Sequence, residues 1–155
     1  MAHFAELESK TDPTGFTSDT HLVVKRVVVV GNDVSTAAGP LGNNDEHVDG
    51  ETWCINFFGG GIWKQTSYNN NFRKAYAGIG HIYNASKNKF LLQQPYASWS
   101  LDGSDDWQAP VTYPNGDQSA YIISWDEDNL RWVGVKISDN SNHRWDADNT
   151  QWVSL

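Results

Sequence analysis

Hydrophobic positions in this chain fall in short runs separated by polar, turn-forming stretches, a pattern that predicts short strands joined by many turns. The clearest run, HLVVKRVVVV (His21–Val30), is β-branched almost throughout and predicts a strand. A long loop dense in turn formers follows, Gly31–Glu51. WCINFF and IW come next and read as two arms of a hairpin turning at Gly59-Gly60-Gly61. FRKAYAGIGHIY is the best helix candidate, but Gly78 and Gly80 argue against a full helix. The C-terminal part reads most cleanly. AYIISW, DEDN and LRWVGVKIS make one hairpin and HRWDADNTQWVSL a second. Asp128-Asn129 and Asp148-Asn149 stand where tight turns want residues that tolerate φ > 0. Residues 1–20 carry Pro13, Gly15 and no periodicity, so they read as a leader or flexible arm, with the folded part starting at about residue 18.

Six of the eight tryptophans add a longer period. Trp53, Trp99 and Trp145 are spaced 46 and 46, and Trp63, Trp107 and Trp152 are spaced 44 and 45. Such a period points to a repeated supersecondary unit. Three units (18–63, 64–109 and 110–155) account for the chain after its leader. Hairpins align across them as Trp53–Trp63, Trp99–Trp107 and Trp145–Trp152, while Tyr83–Phe90 and Trp125–Trp132 both place aromatics seven apart around a polar turn. Three units with two hairpins each and no disulfide predict an all-β, pseudo-threefold β-trefoil, a single domain over 18–155. Trp63, Trp107 and Trp152 are expected to plug its barrel. Trp53, Trp99 and Trp145 have two readings, packing between hairpins or an exposed stacking platform, and the usual burial of large aromatics favours packing.

Composition narrows the function. Eleven Lys and Arg against 19 Asp and Glu give a net charge of −8, which argues against nucleic acid as a partner, since each phosphate contact needs a cation. The single cysteine, Cys54, precludes an internal disulfide and reads as buried and inert. No apolar run approaches membrane-spanning length and the N-terminal stretch lacks a signal-peptide core, so the expectation is a cytoplasmic protein or one released without a signal peptide. The histidines are scattered without zinc spacing, and no nucleophile elbow, phosphate loop or dinucleotide fingerprint occurs. No cofactor or metal is expected. Calcium in the Asp102–Asp106 run is a minority reading, because the loop lacks the twelve-residue pattern and its terminal Glu.

Three acidic turns lie beside aromatics: Asp102–Asp106, Asp126–Asn129 and Asp146–Asn149. Carboxylates and amides grip sugar hydroxyls while an aromatic face stacks on a pyranose; the competing reading is simple turn chemistry. The closing segment Asn149-Thr-Gln-Trp152-Val resembles the repeat ends of ricin-B-type β-trefoil lectins, which carry Gln two residues before a closing Trp. Here those positions are Gly61, Asp105 and Thr150, so the resemblance covers the repeat length and the closing Trp. It implies a non-enzymatic, carbohydrate-binding protein whose partner is a glycan or glycoprotein. Carried over by position, it implies Asp126 as hydroxyl acceptor, Trp132 or Trp145 as stacking face and Asn149 as second polar contact, with Asn84, Phe90 and Ser104 as a weaker set. The Trp99–Trp107 hairpin is next in line. The alternative is a trefoil interaction protein, such as a protease inhibitor or an accessory subunit of a larger enzyme, using the Gly31–Glu51 loop.

Overall fold

The structure is a computed structural model that describes residues 1–42, 48–115 and 119–155. Strand accounts for 42% of the described residues and helix for 7%, so the class is all-β, as the short apolar runs predict. The chain divides into two compact units, 1–93 and 94–155, where the tryptophan period predicts one domain of three equivalent units.

Unit 1–93 holds β1 (Ala2–Thr11), β2 (Thr20–Val30), β3 (Ser35–Thr36), β4 (Gly39–Pro40), α1 (Val48–Phe58), β5 (Ile62–Thr66), β6 (Ile82–Asn84) and β7 (Lys89–Leu91). Five of the strands form one antiparallel sheet in the order β5-β1-β2-β6-β7. The stretch expected as a leader therefore supplies a central strand. Its pattern hides this because both faces are covered. Ala2 and Phe4 pack with Val30, Leu41, Cys54 and Trp63, while Ala5 and Leu7 pack with Val24, Ala77, Tyr83 and Phe90. A bulge between Glu6 and Leu7 inserts Lys25 into β2 and brings Lys25 and Arg26 together on the Glu6 carboxylate. The turn into β2 is built on Asp12, whose two oxygens accept the N–H and O–H groups of Thr14 and Thr17.

The predicted hairpin Trp53–Trp63 is the second correction: WCINFF lies in α1, and Gly59-Gly60-Gly61 ends that helix. Gly59 takes φ +75° and the Gly60 N–H donates to the Ile55 carbonyl at 2.7 Å, the six-to-one bond of a glycine C-cap. Gly50 lets α1 approach the sheet, since a Cβ there would lie 2.3 Å from the Phe4 ring. Burial pushes the Cys54 thiol up to about 12, which leaves it protonated and inert. Of the Gly31–Glu51 loop, residues 35–40 form the small β3–β4 ribbon, 48–51 open α1, and 43–47 lie outside the described residues. FRKAYAGIGHIY is no helix either; apart from its last residues, which enter β6, it is an ordered loop.

Unit 94–155 holds β8 (Ser100–Leu101), β9 (Trp107–Gln108), β10 (Tyr121–Asp126), β11 (Arg131–Lys136), β12 (Asn142–Asp146) and β13 (Gln151–Ser154). The last four make an antiparallel meander, β10-β11-β12-β13, with both predicted hairpins in register. Its core is aromatic: Trp125, Trp132 and Trp145 are buried, with Tyr96, Trp99, Ala109, Val111, Ile123 and Trp152 packed on them.

One hairpin design recurs three times. Tyr83 faces Phe90, Trp125 faces Trp132 and Trp145 faces Trp152 across their ladders, each pair enclosing six polar-rich residues. Ring centroids are 5.1, 5.1 and 5.4 Å apart. The first turn residue (Asn84, Asp126 or Asp146) accepts the N–H three residues on, and the fifth (Asn88, Leu130 or Thr150) takes positive φ. The left-handed position thus falls on Leu130 and Thr150 and not on the expected Asn129 and Asn149, whose amides bind Asp126 and Asp146. The aromatic spacing of seven, not the period of 46, is the unit that the structure repeats.

Candidate functional site

The predicted site disperses. Residues directly opposite in an antiparallel ladder share a face, and neighbours along a strand alternate. Trp125, Trp132, Trp145 and Trp152 therefore line one face of the meander, while Asp126, Arg131, Asp146 and Gln151 line the other. Asp126 does not converge with Trp132 or Trp145. Its carboxylate binds the Asn129 amide at 2.8 Å and Arg131 Nε at 3.1 Å, and these bonds hold it below the usual carboxylate range. Asn149 sits in the β12–β13 turn, bound to Asp146. Asn84 Oδ1 accepts the Ser86 hydroxyl and the Lys87 N–H, and Phe90 is fully buried. The turn-chemistry reading of these polar residues accounts for their bonds.

The aromatic face of the meander is covered by the chain between Gln94 and Tyr113, and that cover builds a site. Glu127 anchors its start: the carboxylate accepts Ser98 N–H (2.9 Å), Ser98 O–H (2.7 Å) and the Trp125 indole N–H (2.7 Å). Those bonds lower the Glu127 pKa, the Trp125 bond foremost. Further on, the Trp132 indole N–H donates to the Val111 carbonyl at 2.9 Å. Between these ties the short β8–β9 ribbon carries Trp107, and the loop that leaves it carries Thr112 and Tyr113.

Trp107 and Tyr113, with Gln108, Thr112, Trp99 and Trp132, line a groove of about 460 Å³. Tyr113 meets Trp132 edge-on at 4.9 Å yet stays 54% exposed, and Trp99 meets Trp132 at 5.8 Å. The Gln108 amide is oriented by Asp102 Oδ2 at 3.1 Å. Buried against this wall, the Trp99 indole N–H has no acceptor among the described residues. Among the described residues the lining offers indole and phenol faces, an amide and hydroxyls, and neither a carboxylate nor a basic group.

The tryptophan spacing groups Trp107 with Trp63 and Trp152 as barrel plugs. Trp63 is core at 2% exposure, whereas Trp107 is half-buried on the groove wall and Trp152 lies on Tyr121 at 4.5 Å. Tyr113, Gln108 and Thr112 were missed, because what joins them to Trp132 is contact across the sheet and not spacing along the chain. In the Asp102–Asp106 run, Asp102 Oδ1 accepts the Ser104 and Asp106 N–H groups, and among the described residues no three His, Cys, Asp or Glu side chains come together as metal ligands. No helix among the described residues is long and apolar enough to cross a membrane. The chain matches no protein-family model, and neither a curated protein nor a solved structure is found similar to it.

Proposed function

We propose that residues 94–155 are a non-enzymatic glycan-binding module, with the groove between Trp107 and Tyr113 as its site. The observation that carries this reading is the pairing of part-exposed aromatic faces with oriented, uncharged polar groups in one open groove. A pyranose has an apolar face of C–H groups and a rim of hydroxyls. The first stacks on an indole or phenol and the second pairs with an amide or hydroxyl. Trp107 and Tyr113 are the stacking faces, and Gln108 and Thr112 the polar contacts. The net charge of −8 disfavours polyanionic glycans such as sulfated ones. The β-trefoil predicted from the tryptophan period is not needed for this reading, which rests on the groove alone.

The test is a glycan array followed by titration of the best hit against three variants. Trp107→Ala and Tyr113→Ala should lose binding while the thermal transition persists. Asp126→Ala, on the opposite face of the meander, should bind like the unsubstituted protein. Normal binding by a folded Trp107→Ala, Tyr113→Ala double variant would show that the groove is not the site.

A further inference from the structure

The loop after β5 builds a second constellation within residues 1–93. Asn71 N–H donates to Ser67 Oγ at 2.9 Å, Tyr76 N–H to Asn70 Oδ1 at 2.6 Å, and Ala77 N–H to Thr66 Oγ1 at 2.8 Å. Asn70, Arg73 and Lys74 hold φ of 58°, 54° and 67°, a region that non-glycine residues seldom occupy. Such conformations persist where the surroundings over-determine them. Here Arg73 does so. Its guanidinium donates to Glu51 Oε1 (2.7 Å), to the Gln65 carbonyl (2.8 Å) and to Asn88 Oδ1 (2.9 Å), and the Arg73 and Glu51 side chains are each only 11% exposed.

This fixed loop holds Tyr68 outward, 69% exposed, with one ring face laid on His3 at 5.5 Å and 22°. Tyr76 buttresses both rings edge-on, at 5.6 Å from each. Beside Tyr68 is a pocket of about 270 Å³ lined by Met1, Thr66, Ser67, Asn69 and Asn71 among others, with no Asp, Glu, Lys or Arg side chain in its wall among the described residues. Burial, and then the positive charge of the Met1 amino group, lower the pKa of His3 and so favour its neutral imidazole. Ser67 Oγ already accepts a backbone N–H, so its own proton is left to donate, and an amide both donates and accepts. Hydroxyl groups of a ligand need both roles. The pocket stands near the lower end of the size range for small-molecule sites, which suits one ring rather than a chain.

From this arrangement we infer that residues 1–93 carry a separate binding site for a single uncharged saccharide ring, stacked on the open face of Tyr68 and held at its hydroxyls by Ser67, Asn69 and Asn71. A nucleobase would use the same open face, so the rim decides between them: the Ser67 hydroxyl and the Asn69 and Asn71 amides suit a ring that carries several hydroxyls.

The test follows backbone amide NMR shifts of the full chain while free glucose, galactose, mannose and N-acetylglucosamine are titrated into the tens of millimolar, with adenosine and uridine in parallel. Saturable shifts at Ser67, Tyr68, Asn69 and Asn71 are expected with at least one sugar. Tyr68→Ala should abolish them and Tyr68→Trp should keep them, which separates loss of the platform from loss of the fold. Trp107→Ala should leave them intact, so failure of the groove in 94–155 and failure of this site read out independently. No response to any sugar, a response to the nucleosides alone, or a folded Tyr68→Ala chain that responds normally would each overturn the inference.

Discussion

Gly134 lies beneath the Trp152 indole: a Cβ at position 134 would stand 2.9 Å from two atoms of that ring and 3.2 Å from Tyr121. Trp152 is stacked on Tyr121 at 4.5 Å and abuts Trp145 at 5.4 Å, so moving away from a new methyl group would disturb both ring contacts. Gly134→Ala should therefore destabilise residues 94–155 by about 1–3 kcal/mol, the usual cost of overpacking. A Trp152→Leu replacement in the same chain should cancel part of that loss, because the two residues share one contact. Urea denaturation of the single and double variants measures both effects.

Trp132 and Trp107 should respond differently to truncation. Trp132 is 7% exposed, bonded to Val111 and ringed by Trp99, Tyr113 and Trp125, so Trp132→Ala should cost about 3–5 kcal/mol. Trp107, half-buried on the groove wall, should cost clearly less. Equal losses in chemical denaturation would mean that Trp107 is a core ring after all.

Acid should weaken both units, through identifiable carboxylates. Hydrogen bonds from Thr14, then Thr17, lower the Asp12 pKa from 3.8 to about 2. A carboxylate with a depressed folded-state pKa contributes stability that is whole above its unfolded value and disappears as pH falls through the folded one. The Asp12 contribution should thus fade between about pH 4 and pH 2. Glu127 acts in the same direction in residues 94–155 through Trp125 and Ser98. Thermal melts from pH 7 downward should show Asp12→Asn and Glu127→Gln starting lower at neutral pH and losing less on acidification.

The Glu51–Arg73 pair holds the loop from Ser67 to Ala77, and removing one partner strands the other. Breaking a buried pair costs about 3–5 kcal/mol, and Arg73→Met should fall at the low end because Lys64 still reaches Glu51 at 3.3 Å. The amides of Tyr76 and Ala77, which depend on that loop geometry, should lose hydrogen-exchange protection in this variant. Unchanged protection would show that the loop stands without Arg73.

What the sequence by itself determined is local. A β-branched run made β2, and alternating patterns around polar turns made the β10–β11 and β12–β13 hairpins, because strand propensity and turn chemistry act over a few residues. The seven-residue aromatic spacing already marked which rings face one another across a turn. Tertiary structure decided the rest. It made residues 2–11 a central strand, a role that two covered faces erased from the alternation. It made Trp53 a helical residue, although its spacing from Trp99 and Trp145 is regular, because a glycine at position 50 and a glycine cap after Phe58 let that segment wind against Phe4. It also separated Asp126 from Trp132: adjacency to Trp125 in the chain put the carboxylate on the opposite face, since side chains of a strand alternate. The groove arises instead where the stretch from Gln94 to Tyr113 closes over the tryptophans of the meander, a contact between segments that no spacing along the chain encodes.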